Sequence, residues 1–152
     1  MGAHTLRELG TPRHIGENGQ GLLLKLAINI NLAVQLLAFS ESVLLAERGG
    51  LDRSLAMEVM TWSAIGSPLL KGRAPLLLDL PEDAWFDVEL AHKDIRLALA
   101  TGRSEGVPLP SASVADEVFT QASELGYGHR DVAALFEVLS RLETHTEADL
   151  EW

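Results

Sequence analysis

A lysine set in a run of leucines, with an asparagine one helical turn beyond it, is the arrangement in this sequence best suited to chemistry. Lys25 follows Leu22, Leu23 and Leu24, and Asn29 stands four residues later, so on a helix the two side chains share one face. Burial among aliphatic side chains would disfavour the charged form of Lys25 and bring it toward general acid or base work. The Asn29 amide would offer a donor to a substrate oxygen. A wet stripe on a long helix accounts for the same spacing equally well. The pair Lys93-Asp94 places a second cation where it can reach a cofactor or a carboxylate. A solvated helix edge explains that dipeptide better when it is taken alone.

Other chemistries find little support. The glycines at Gly16, Gly19 and Gly21 are ordered Gly-x-x-Gly-x-Gly, not Gly-x-Gly-x-x-Gly, and no strand–helix–strand pattern surrounds them, so a turn entering a helix fits better than a phosphate cradle. The histidines, His4, His14, His92, His129 and His145, have no partner four residues away, and there is no cysteine, which argues against a metal site, a thiolate nucleophile and a disulfide framework. Glu41 inside the long apolar stretch reads as a structural core carboxylate with a partner. With 22 acids against 12 Lys and Arg and a formal charge of −10, the field of the molecule repels phosphate backbones and anionic membranes. Nucleic acid and membrane are therefore not expected partners, and a cytoplasmic location is expected.

The elements that must position these residues are helical. The chain has 152 residues, 47% hydrophobic but only 5% aromatic, and its Leu and Ala content favours helix on helix over a sheet. One helix is predicted from about Gln20 to Arg48, stopped by Gly49-Gly50. It has the length of a membrane span, but Lys25, Asn29, Asn31, Gln35 and Glu41 interrupt it, so it reads as a buried helix covered on nearly all sides by its own chain or a partner. Asp52 caps a second helix to about Trp62, and Ser67-Pro68 starts a short third that Pro75 cuts or ends. Leu76 to Asp87 reads as an irregular connection with Trp85 and Phe86 as aromatic anchors. Helices follow from Val88 to about Thr101, from a Ser111 or Ser113 cap to about Leu125, and from about Arg130 to Leu142. The expected architecture is all-α, a bundle of about six helices threaded by the first.

Taken together and in order, several pieces resemble the C-terminal domain of the β-hydroxyacid dehydrogenases, the group that includes 3-hydroxyisobutyrate dehydrogenase. They are Gly16-x-x-Gly19-x-Gly21-x-x-x-Lys25-x-x-x-Asn29, Ser40-Glu41, Ala46-Glu-Arg-Gly-Gly-Leu-Asp52, Phe86-x-Val-x-Leu-x-x-Lys93-Asp94, Pro108-Leu-Pro110 and Gly126-Tyr-Gly128-x-x-Asp131. The resemblance covers about residues 11–142 and implies the all-α fold of the 6-phosphogluconate dehydrogenase C-terminal type. It also implies an NAD(P)-dependent oxidoreductase acting on a small 3-hydroxyacid or semialdehyde. By position, Lys25 would be the catalytic acid/base and Asn29 would orient the substrate beside it. Lys93 would lie near the cofactor, and Gly19, Gly21, Phe86 and Asp94 would border the substrate. The family has two adjacent asparagines where this chain has Ile28-Asn29, and the second matches.

The family's Rossmann half, with its dinucleotide loop and Ser-Gly-Gly substrate loop, is not in this sequence. Residues 1–15 are expected to be the end of that half or a linker, residues 16–142 the substrate and dimerisation domain, and residues 143–152 an acidic tail. On this reading Gly16 to Asn29 is the interdomain hinge and the start of the catalytic helix. NAD or NADP would serve the full-length enzyme and not bind this chain tightly, and the isolated chain would be inactive. The expected partners are a second copy, the Rossmann domain and a small hydroxyacid. The alternatives are a free-standing helical dimerisation module and an imine reductase-like domain, a branch that carries Asp or Tyr where Lys25 stands.

Overall fold

The computed structural model describes residues 11–142; residues 1–10 of the expected N-terminal segment and the whole of the expected tail lie outside them. Six α-helices follow one another: α1 (Gln20–Arg48), α2 (Arg53–Trp62), α3 (Pro68–Leu78), α4 (Val88–Glu105), α5 (Pro110–Glu124) and α6 (Leu135–Arg141). A 3-10 turn (Val132–Ala134) leads into α6. No strand occurs among the described residues, and a single antiparallel bridge joins Asp87 to Asp131. The all-α expectation holds.

α1 is the central element because every other helix packs on it. Its buried residues, Leu26, Ala33, Leu36, Leu37, Phe39, Ser40 and Val43, recur mostly at intervals of three, four and seven, the signature of one buried face. Phe39, Leu36 and Val43 meet Phe119, Ile95, Leu135 and Val138 in a continuous core, where each large apolar side chain contributes about 1.5–3 kcal/mol. Of the cover expected on nearly all sides from the chain itself or a partner, the chain supplies only a part. The chain buries one face only, and Leu22, Leu23, Leu24 and Ile28 near the start of α1 stay exposed. Glu41 is likewise exposed, not a core carboxylate.

Local signals set most helix ends. Asp52 and Ser67 cap α2 and α3 through their side chains, accepting from Leu55 N and Leu70 N, as expected. α1 closes with Gly50 at a φ of 92°, Gly50 N donating to Glu47 O and Leu51 N to Ala46 O, the paired bonds that finish a helix on a left-handed glycine.

Elsewhere the expected boundaries shift, each for a reason. Pro75 lies inside α3; it and Lys71, whose carbonyl loses its partner, both face solvent, so water replaces the missing bond. α4 continues past Gly102 to Glu105. That glycine makes room, since a Cβ there would stand 2.7 Å from Leu109 Cδ1 and 3.0 Å from the Val107 carbonyl oxygen. α5 starts at Pro110 with no side-chain cap, because proline at the first position has no N–H to satisfy; Ser113 instead donates back to Leu109 O. The last helical segment begins at Val132, after an Asp131 cap, and passes through the 3-10 turn before α6.

Candidate active site

Lys25 and Asn29 lie on successive turns of α1, and the packing of α4 against α1 brings Asp94 between them. Lys25 Nζ donates to Asp94 Oδ2 at 2.7 Å, and Asn29 Nδ2 donates to the same oxygen at 2.6 Å. The Asp94 side chain is only 4% exposed, whereas that of Lys25 is 51% exposed. Two sequence-stretches 69 residues apart thus form one small polar cluster at the edge of the core. Lys93 points to its rim, 58% exposed, with Nζ 3.9 Å from Asp94 Oδ1.

Two expectations change here. The leucines beside Lys25 are themselves exposed, so its ammonium is not set among buried aliphatic side chains; an adjacent buried carboxylate holds it instead. The Lys93-Asp94 pair is not a solvated edge, because Asp94 is among the few buried charged residues. A buried carboxylate carries a large desolvation cost unless cations and donors meet it, and Lys25 and Asn29 supply them. With two lysines against one aspartate, the cluster keeps a net positive charge toward solvent.

The remaining expected site residues are spread more widely. Gly19 is the N-cap of α1, at a φ of 95°, and Gly21 lies in its first turn with open space where a Cβ would be; the cluster of glycines is a turn entering a helix, as read. Phe86 packs on the main core and no hydrogen bond or ion pair links it to Lys25. Trp85 is 73% exposed, so only Phe86 of the two aromatics is an anchor.

Sequence reasoning missed two pairings that hold the site's elements. Asp131 is fully buried and accepts from Arg73 Nη1 at 2.8 and 2.7 Å, from Trp85 N at 3.0 Å, from Phe86 N at 3.3 Å and from Ala133 N at 3.0 Å. Together with the bonds from Val88 N to Arg130 O and from Val132 N to Phe86 O, this knot fixes where α4 begins. His92, 7% exposed, bonds through Nε2 to Asp116 Oδ1 at 2.9 Å and stacks on Phe119, tying α4 to α5. A cleft of about 750 Å³ beside it is lined by Glu89, Lys93, Arg96, Thr120 and Glu124 among others. The Asp131 cap was readable from Asp-Val-Ala-Ala; its partner Arg73, 58 residues away, was not.

Residues 19–139 match the family described as NAD-binding of NADP-dependent 3-hydroxyisobutyrate dehydrogenase. The chain belongs to this family. It is similar to glyoxylate/succinic semialdehyde reductase 1 of Arabidopsis thaliana, 32% identical over 126 residues, which is 83% of this chain and 44% of the relative. It is similar also to 2-(hydroxymethyl)glutarate dehydrogenase of Eubacterium barkeri, 27% identical over 85% of this chain and 43% of the relative. Among solved structures, 3-hydroxyisobutyrate dehydrogenase from Salmonella typhimurium superposes with a TM-score of 0.81 at 28% identity, over 88% of this chain and 47% of that one. The chain therefore spans less than half the length of these relatives, and what it shares with them is the all-α part that carries Lys25, Asn29 and Asp94.

Proposed function

We propose that this chain is the substrate-binding and dimerisation domain of an NAD(P)-dependent oxidoreductase acting on a small 3-hydroxyacid or semialdehyde, with Lys25 as the catalytic acid/base. The observation that carries this reading is the convergence of Lys25 and Asn29 on one buried carboxylate at the mouth of α1, within a chain of this family. The nicotinamide, when bound, exchanges hydride with the substrate carbon. The chain's part is the proton: Lys25 Nζ, half exposed and held from behind by Asp94, donates to the oxygen of a carbonyl being reduced or takes the proton of an alcohol being oxidised. Lys93, exposed and only loosely engaged, is the cation placed to meet the anionic cofactor. Gly19 and Gly21 leave the approach to Lys25 open at the start of α1, and Phe86 borders the substrate side.

The dinucleotide loop comes from another part of the enzyme, since no Gly-x-Gly-x-x-Gly run is present, and the chain alone is inactive. Joining it to the dinucleotide-binding half of the Arabidopsis reductase should give NAD(P)-linked turnover of small 3-hydroxyacids. Lys25→Ala should then lower turnover by roughly 100-fold or more, the usual contribution of a positioned acid/base. Full activity in Lys25→Ala refutes the assignment.

The exposed apolar residues favour a dimer. Leu55, Val59 and Trp62 line one face of α2, 56%, 60% and 75% exposed, flanked by Leu51 and Ile65. A stripe of this kind marks a protein–protein contact, and a second copy of the chain is the partner we assign to it.

A further inference from the structure

We infer that the cleft where α1 and α6 end is a docking groove for this chain's own residues 148–152. The cleft has a volume of about 620 Å³, and Leu44, Leu45, Leu139 and Leu142 line it together with Glu41 and Arg48. On α1 the four residues Glu41, Leu44, Leu45 and Arg48 are spaced by three, one and three, so they form a single stripe. Leu45, inside that stripe, is 77% exposed, more than Trp62 or Trp85. Arg48, at its end, forms no ion pair among the described residues, while the neighbouring Glu47 is held by Arg53. An apolar strip beside one uncommitted cation fits a short segment that is apolar on one side and acidic on the other.

Residues 148–152 have that composition. From Glu147 the sequence reads Glu-Ala-Asp-Leu-Glu-Trp, so on an extended segment Ala148, Leu150 and Trp152 share one side and the three acids share the other. From Ala148 to Trp152 such a segment spans roughly 13 Å at about 3.3 Å per residue. The stripe from Glu41 to Arg48 is about 10 Å long at about 1.5 Å per residue, so the two match. Leu142 is itself part of the groove wall, and residues 143–147 reach at most about 17 Å, enough to turn back onto the stripe. The formal charge of −10 opposes docking of an acidic segment by charge alone. Burial of Leu150 and Trp152 therefore supplies the attraction, and Arg48 draws the outward carboxylates to its end of the groove, away from Glu41. The segment of a second copy has the same chemistry, but the five-residue link gives the chain's own segment a high effective concentration. None of this depends on the active-site reading.

Fluorescence of Trp152 in the 152-residue chain tests this. Replacing the other two tryptophans, by Trp62→Phe and Trp85→Phe at exposed positions, leaves Trp152 as the sole reporter. Its emission should lie to the blue of a free peptide of residues 143–152, and acrylamide should quench it less than it quenches the peptide. Adding Leu45→Glu should return both readings to those of the peptide while the helical circular dichroism stays unchanged, and Arg48→Glu should move them part of the way. Dilution from micromolar to nanomolar should change neither reading. If Leu45→Glu fails to fold, Leu45→Ser decides. Peptide-like emission before any groove substitution overturns the proposal. A protected Trp152 that ignores the Leu45 substitution seats the segment elsewhere and overturns the groove. Protection that disappears on dilution assigns the segment to the groove of another copy and overturns docking within one chain.

Discussion

Removing the Asp131 carboxylate should cost this domain a large part of its stability. Asp131→Ala leaves the guanidinium of Arg73, whose side chain is 14% exposed, facing a space that no longer holds its anion, and it strands the N–H groups of Trp85, Phe86 and Ala133. Breaking one partner of a buried ion pair costs about 3–5 kcal/mol. The residual exposure of Arg73 lets water relieve part of its charge, which favours the lower end. Three stranded backbone donors, each costing about 1–3 kcal/mol if none finds water, push the other way. A fall of about 4 kcal/mol compares with a total stability of roughly 5–15 kcal/mol and corresponds to about 8–16 °C in Tm for a domain of this size. Asp131→Asn, which keeps an acceptor and loses the charge, should cost about half as much. Urea unfolding followed by circular dichroism checks both. Combining Asp131→Ala with Arg73→Met should cost less than the sum of the single changes, because the second change removes the orphaned cation. A loss below about 1 kcal/mol for Asp131→Ala with an unchanged m-value, or strict additivity in the double variant, refutes the argument that this pair knots the fold.

The single tyrosine makes a second prediction simple to read. Burial first, and then the hydrogen bond to Glu137, raise the pKa of Tyr127 above its ordinary value of 10.0. The folded state thus holds the phenol proton to higher pH than the unfolded state. The contribution is fully present below pH 10.0, the unfolded value, and is lost as pH rises through the folded pKa. Ultraviolet titration of the native protein should give a midpoint above that of the urea-unfolded chain, since no other tyrosine contributes; coincident midpoints would sink the idea. The dimer assigned to α2 predicts sedimentation at twice the chain mass, and Leu55→Glu with Trp62→Glu should give a folded monomer. A wild-type chain that stays monomeric at micromolar concentration rules the dimer out.

The parts of the fold that sequence reveals are those written within a few residues. Gly49-Gly50, Asp52 and Ser67-Pro68 each specify a helix end through their own backbone angles or side-chain oxygens, and all three sit where the sequence places them. The misplaced boundaries depend on residues met only after folding. Gly102 looks like a helix stop until Val107 and Leu109 fold back over it, and Pro75 looks like a break until it falls on the solvent side of α3.

The site divides in the same way. The spacing of Lys25 and Asn29 shows that they share a face, and nothing local shows which side of the helix is wet. The answer comes from α4, because Asp94 must be buried for α4 to pack on α1, and a buried carboxylate is tolerable only where Lys25 and Asn29 meet it. The two residues are therefore committed to the protein on one side and open on the other. A solvated stripe alone would leave Asp94 without partners, so the fold gives Lys25 and Asn29 a shared structural role that their spacing could not show. The Arg73–Asp131 knot extends the same logic: it sets the start of α4, Asp87 caps that helix by accepting from Leu90 N, and the register so fixed delivers Asp94 to α1 two turns later. Loss of the knot should disturb the Lys25 cluster through α4, even though no atom of Asp131 lies in the site.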